Sequence, residues 1–223
     1  MTASFNFVTS IEAEILVIIS VLSYRGKLIK NAFLNKLFFI FLKITKMNFE
    51  IRFATSEDAA HLIVLYKLVA KTIGGIAREE IEITEDYISN FLRKSLDNGL
   101  CLIIENPQKD NEIIAEIHCY KLDPKVFNHV LSELTIVVHP NFQNQGLGKM
   151  LFTKLLENIK ENRTDILRVE LIARESNITA IKFYQKIGFL IEGRFENRIS
   201  NHGNGFEAYI PMAWFNPYYI KST

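Results

Sequence analysis

Residues 134–184 constrain this chain most, because an apolar strand runs into a glycine-bearing turn, a helix, a second strand and a second helix. The first strand, 134–138, reads Leu-Thr-Ile-Val-Val and is closed by His139 and Pro140. Asn141, Phe142, Gln143, Asn144, Gln145, Gly146, Leu147 and Gly148 follow. From Gly148 the pattern becomes helical, with Leu151, Leu155 and Ile159 on one face and Phe152 and Leu156 beside them. A helix N-terminus leaves backbone N–H groups unpaired, and with the helix dipole these favour a phosphate-bearing ligand. Gly146 and Gly148 carry no Cβ to hold such a ligand off. The spacing Gln143-x-x-Gly146-x-Gly148 differs from the Gly-x-Gly-x-x-Gly of dinucleotide folds, and it lacks the Gly-Lys-Ser/Thr ending of a nucleotide P-loop. Taken alone, it reads equally well as a tight strand-to-helix turn.

The second half adds an independent motif. A strand over 166–173 leads to Asn177 and a helix carrying Ala180, Ile181, Phe183 and Tyr184, closed by Lys186, Ile187, Gly188 and Phe189. With both motifs in this order, the chain resembles the GNAT superfamily of N-acetyltransferases over about residues 47–219. The resemblance implies an α/β fold: a central mixed, twisted sheet of about six to seven strands, helices on both faces, and a bulge that splays two central parallel strands. It implies acetyl-CoA as donor and a primary amine as acceptor. Pantetheine would run along Ile136, Val137 and Val138. Gln143 would open the turn whose amides, Asn144, Gln145, Gly146, Leu147, Gly148 and Lys149, take the pyrophosphate, with Lys149 adding charge. Asn177 would contact the ligand and Tyr184 would be the general acid.

The residues can be read beside that resemblance. Asn177 and Tyr184 stand seven apart, two helical turns, and share a face. A phenol with an ordinary pKa of about 10 keeps its proton at neutral pH and can give it to a departing thiolate. A helical tyrosine that only packs its ring is the competing reading, and Asn177 also reads as a helix cap. The attacking amine must be free of its proton, which is harder for a lysine amine (about 10.4) than for an α-amine (about 7.7–8). Glu133 and Glu170 are the strand carboxylates in question. Some relatives that acetylate protein N-termini carry a glutamate where this chain has Ile172, and Glu170 stands two residues earlier on the same strand face. A base acting through water stays open, as does a solvated role for either glutamate.

Composition narrows the class. At 223 residues, 48% hydrophobic and 23% charged, the chain is long enough for one good core. The net charge of +1 hides an asymmetry: residues 1–46 hold six of the 26 basic residues and two of the 25 acidic ones, leaving 20 against 23 in the remainder. A nucleic-acid binder would be basic throughout, so none is expected as partner. Within 1–46 neither apolar run reaches the roughly 18–20 residues of a membrane span, and no secretory signal is evident. Three readings of 1–46 stand. The first is sequence upstream of a true start at Met47, the second a basic amphipathic helix on a membrane or partner, and the third a helix packed on the domain. The catalytic domain is expected over 47–223.

Elsewhere the pattern predicts a strand from Phe49 to Ala54, a helix capped near Ser56, a second capped at Thr84, strands over 100–105 and 113–120, and a final pair over 189–199 and 206–215. Residues 74–82 read as a specificity loop or as a plain connection. Cys101 and Cys119 lie far apart along the chain and read as buried thiols of a reduced, cytoplasmic protein. The five histidines (61, 118, 129, 139 and 202) form no metal-ligand pattern, so no metal is expected. The expected function is acetyltransfer to a small amine or amino acid, because residues 131–140 with Glu192, Gly193 and Arg194 resemble that branch of the family; the alternatives are acetyltransfer to a protein N-terminus and acyl-CoA binding without catalysis. A homodimer is left open.

Overall fold

A computed structural model of the chain describes residues 48–72, 75–200 and 205–221. The extension 1–46, Gly74 of the expected specificity loop and most of the turn at 201–205 lie outside the described residues. The strands are β1 (Ile51–Phe53), β2 (Gly99–Glu105), β3 (Ile113–Tyr120), β4 (Val130–Val138), β5 (Arg168–Arg174), β6 (Leu190–Ile191), β7 (Phe195–Ser200) and β8 (Phe206–Phe215). The helices are α1 (Ala59–Ala70), α2 (Glu85–Asn98), α3 (Leu147–Asn162) and α4 (Ile178–Lys186). The strands form one mixed sheet in the order β1-β2-β3-β4-β5-β8-β6, with β7 also on β8. β4 and β5 run parallel.

Local chemistry sets the helix starts. Thr84 caps α2, its hydroxyl accepting the Tyr87 amide at 3.1 Å. Ahead of α1 the cap falls one residue earlier than Ser56. The Asp58 carboxylate accepts the Thr55 amide at 2.7 Å and a fork of bonds from Arg52 at 2.7 and 2.8 Å, holding a short 3-10 turn before the helix. Helices cover both sheet faces, as expected. On one face Leu151, Phe152, Leu155 and Ile159 of α3 pack against Leu102, Ile117 and Leu171. On the other, Leu62, Leu65 and Tyr66 of α1 and Ile88, Phe91 and Leu92 of α2 pack on Cys101, Ile103 and Val137. Truncating a fully buried leucine here, such as Leu155→Ala, costs about 2–5 kcal/mol. Cys101 and Cys119, distant in sequence, sit in adjacent register positions on β2 and β3 but in cores on opposite faces.

The sheet departs from expectation at one strand. Residues 189–199 form β6 and β7, not a single strand, which brings the described strands to eight. Pro211 of β8 explains the break. Its carbonyl accepts the Glu192 amide at 3.0 Å, so the side facing 192–194 is the side on which proline has no N–H to return.

What positions the site is a slip between β3 and β4. His118 pairs with Thr135, but Tyr120 pairs with Ser132, so β4 carries an extra residue. Glu133 absorbs it with φ of +53°. Pairing between β4 and β5 runs through Val130 with Arg168 and Leu131 with Val169, and goes no further among the described residues. Beyond the bulge the two strands part.

Candidate active site

A cavity of about 280 Å³ opens where β4 and β5 separate. Its walls are the α1–α2 connection at Gly75–Arg78, Tyr87 and Phe91 of α2, His118 and Tyr120 of β3, Glu133, Leu134, Thr135 and Ile136 of β4, residues 171–174 of β5, and Asn177, Ala180 and Tyr184 of α4. The bulge thus brings Glu133 to the same cavity as Tyr184 and Asn177, from strand and helix ends distant in sequence.

Tyr184 is held by aromatic packing: its ring centroid lies 5.3 Å from Phe152 and 6.1 Å from Phe189. Its hydroxyl makes no hydrogen bond among the described residues. Burial alone pushes its pKa up to about 12, because removing water penalises the phenolate. The group is therefore a neutral donor throughout the physiological range. Asn177 caps α4, its side-chain oxygen accepting the Ala180 amide at 3.1 Å, while it lines the cavity. Of the two glutamates, Glu133 reaches the cavity and Glu170 does not. Glu170 shares its strand parity with Ile172 but sits nearer the paired end, where Arg168 holds it at 2.9 Å and also binds Glu192. Ile172 does line the cavity.

Past the cavity lies the turn. The β3-facing edge of β4 is occupied, since Ile136, Val137 and Val138 pair with Ile117, Glu116 and Ala115. The opposite edge of these residues has no strand partner among the described residues, which leaves it available to an extended ligand. The side chain of Val137 is buried in the core on the α1 side, whereas Ile136 lines the cavity. Gln143 ties the turn back to the strand by donating to the Val138 carbonyl at 3.3 Å, and Gln145 braces it by donating to Asn141 at the same distance. Gly146 takes φ of +85° and precedes α3, with open space where a Cβ would point. Asn144 also has positive φ. The first bond into α3 is Met150 N–H to Gly146 O at 3.0 Å, so the amides of Leu147, Gly148 and Lys149 precede the helical ladder. Lys149 is exposed beside them. These features fit a pyrophosphate: free donors, a helix N-terminus and no side chain in the way.

Two groups escaped sequence reasoning. Arg78, on the wall formed by the α1–α2 connection, stacks over the Tyr87 ring at 4.2 Å. Beneath the cavity, Glu116 is wholly buried with both oxygens engaged by Tyr66, His118 and Cys101. The only signal of that cluster was Glu116 and His118 at alternate positions of an otherwise apolar strand. The thiols themselves are poor nucleophiles: burial pushes Cys119 up to about 12, and burial with the neighbouring Glu116 charge raises Cys101 well above the ordinary thiol range.

Among the described residues, no group of three or more His, Cys, Asp or Glu side chains is arranged to hold a metal ion, and no helix is long and apolar enough to cross a membrane.

Comparison with known proteins accords with this geometry. The catalytic subunit NAA20 of the N-terminal acetyltransferase B complex of Arabidopsis thaliana is 35% identical over 72 residues, 32% of this chain and 41% of that protein. The [ribosomal protein bS18]-alanine N-acetyltransferase of Salmonella typhimurium is 40% identical over 63 residues, 27% of this chain and 41% of that protein. The matched stretches thus span less than half the length of either relative. Among solved structures, a GNAT-family acetyltransferase from Streptococcus pneumoniae superposes with a TM-score of 0.67 at 24% identity, covering 75% of this chain and 99% of that one. The putative acetyltransferase yncA from Salmonella typhimurium, solved with its cofactor acetyl-CoA, superposes with a TM-score of 0.67 at 17% identity over 79% of this chain and 98% of that one. These likenesses establish the shared fold. The profile of the Acetyltransferase (GNAT) family matches residues 65–189, more than half the chain, and the chain belongs to that family.

Proposed function

We propose that the protein is an acetyl-CoA-dependent N-acetyltransferase acting on the α-amine of a polypeptide N-terminus. The observation that carries the reading is that Glu133 and Tyr184 line one cavity at the parted ends of β4 and β5, followed along the chain by a glycine turn that opens a helix. In this reading the free edge of Ile136–Val138 pairs with the pantetheine amides, and the amides of residues 144–149 take the phosphates. Glu133 attracts and holds the incoming ammonium at the cavity. The deprotonated nitrogen adds its lone pair to the thioester carbonyl, and the C–N bond forms as the C–S bond breaks. Sulfur leaves with the bonding pair and takes the Tyr184 proton; of the two protons the ammonium loses, one passes to solvent before attack and the other returns to the Tyr184 phenolate after it. An α-amine, at about 7.7–8, needs less help with that loss than a lysine amine, and an open cavity suits a chain end. The relatives named for acetylating a ribosomal protein and protein N-termini lend support.

Acetyltransfer to a small amine or free amino acid is the second reading. It is favoured by the modest cavity volume and by Arg78 on the wall, a cation suited to the carboxylate of an amino acid. Thiol release from acetyl-CoA by the full-length chain separates the two. Peptides with free N-termini, free amino acids and polyamines are compared, and the peptides are expected to turn over with the highest kcat/KM. Turnover of free amino acids alone would install the second reading, and no turnover with any amine would remove both.

A further inference from the structure

We propose that His118, oriented by the buried Glu116, is the group that takes the proton from the acceptor amine. This rests on the acetyltransferase reading above and adds a residue to it. His118 lines the cavity although it is almost entirely enclosed. Its Nδ1 is turned inward, 2.9 Å from Glu116 Oε1 and 3.3 Å from the Tyr66 hydroxyl. The other carboxylate oxygen accepts the Tyr66 hydroxyl proton at 2.6 Å, and the Cys101 thiol donates to Oε1 at 3.2 Å. With Glu116 as a carboxylate, which can only accept, Nδ1 is the nitrogen that carries the proton and Nε2 is the bare acceptor on the other side of the ring. Nε2 has no hydrogen-bond partner among the described residues. Nor is it a sealed atom: among the described residues, the unpaired polar side-chain atoms sealed from solvent are Ser95 Oγ and Arg168 Nε. Its free edge therefore opens where His118 meets space, at the cavity.

Packing fixes the ring. Phe91 stacks on it at 4.0 Å with planes 7° apart, and Tyr120 lies parallel at 6.1 Å. Glu116 is 0% exposed, and its hydrogen-bond partners are the side chains of Tyr66, Cys101 and His118. Burying a carboxylate costs several kcal/mol. The ring Nδ1 therefore stands directly against a carboxyl group shut away from solvent. The proton balance is simple: the ammonium gives one proton to Nε2 and becomes the neutral attacking amine, the imidazolium is held against Glu116, and that proton then leaves through the open mouth past Glu133. Glu133 binds the ammonium and His118 receives the proton.

His118→Asn tests this, because the shorter amide keeps a donor to Glu116 and removes Nε2. The assay is thiol release by the full-length chain with two acceptors, one an ordinary α-amine and one a weakly basic amine already unprotonated at the assay pH. We expect kcat with the ordinary amine to fall about 100-fold, within the usual range for a general base. The KM for acetyl-CoA should stay within about two-fold, and the deficit should shrink with the weakly basic amine. Wild-type kcat in the variant overturns the inference and leaves the acetyltransferase reading intact. An equal loss with both amines also overturns it, since a purely structural histidine would act that way. A wild-type chain inert with every amine removes the acetyltransferase reading and this inference together. Should the variant fail to fold, nitrogen-15 NMR of the wild-type imidazole decides: a bare Nε2 supports the assignment, and a neutral ring protonated on Nε2 overturns it.

Discussion

The two ends of the β4–β5 pair make opposite use of the same kind of backbone. At the start, Val130 and Leu131 are buried and paired with Arg168 and Val169, an ordinary parallel ladder. Past Glu133 the ladder stops, and the β4 edge that would have paired with β5 borders a cavity instead. One extra residue at positive φ separates the two regimes. A single bulge thus ends the ladder, leaves the β4 edge beyond it without a strand partner among the described residues, and brings Glu133 to the cavity.

The sharpest way to break that contrast is on the opened side. Tyr184→Phe should lower turnover by about 10²–10⁴-fold, the range for loss of a general acid, while the acetyl-CoA Kd hardly moves. Loss of affinity with unchanged turnover would remove the acid role. Next in size, Gly146→Glu should weaken acetyl-CoA binding at least about 100-fold, or ~2.7 kcal/mol, as read by calorimetry. The variant combines a left-handed backbone position with a carboxylate at the proposed phosphate turn. Glu133→Gly isolates the carboxylate, because glycine accepts the φ of +53° and the bulge is kept. We expect kcat/KM for the amine to drop roughly ten-fold, about 1.4 kcal/mol, with acetyl-CoA binding unchanged. Glu133→Val, which strains the bulge as well, should also lower the melting temperature.

On the paired side the smallest effect belongs to Asp165, near the start of β5. Its side chain, bound by Arg163 at 2.9 Å and Lys121 at 2.8 Å, has its pKa lowered from the ordinary 3.8 to about 2. The hydrogen bond from Arg163 is the largest cause, opposed by partial burial and helped by Lys121. A depressed carboxylate adds stability above its unfolded value, and that stability is lost as pH falls from about 4 to about 2. The side chain is 45% exposed, so the contribution should be a surface-pair value of about 0.2–1 kcal/mol. Thermal melts of Asp165→Asn and wild type should therefore differ slightly at pH 6 and converge near pH 2.

How much of this was legible in sequence depends on the range of the interaction. The turn from Gln143 to Lys149 and the cap at Asn177 were readable because a glycine's backbone freedom and a cap's hydrogen bond act within a few residues. Tyr184 followed from its place on the same helix. The choice between Glu133 and Glu170 was not readable. It turns on where the bulge falls and on Arg168, whose pairing to both Glu170 and Glu192 needs the folded sheet. The break between β6 and β7 was hidden for a similar reason, since Pro211 acts across the sheet on residues 192–194. Glu116 and His118 share one face of β3, but the hydrogen bonds of Tyr66 from α1 and Cys101 from β2 to Glu116 form only in the folded sheet.

The most direct test of the bulge as the dividing line is amide hydrogen exchange on the full-length chain, with and without acetyl-CoA. Exchange reports local opening and solvent access of each amide. On ligand binding, amides in 136–138 and 144–149 should slow, while those of Val130 and Leu131, already paired, should not change. Uniform slowing along β4, or none at residues 136–149, would contradict the assignment of the opened edge to the donor.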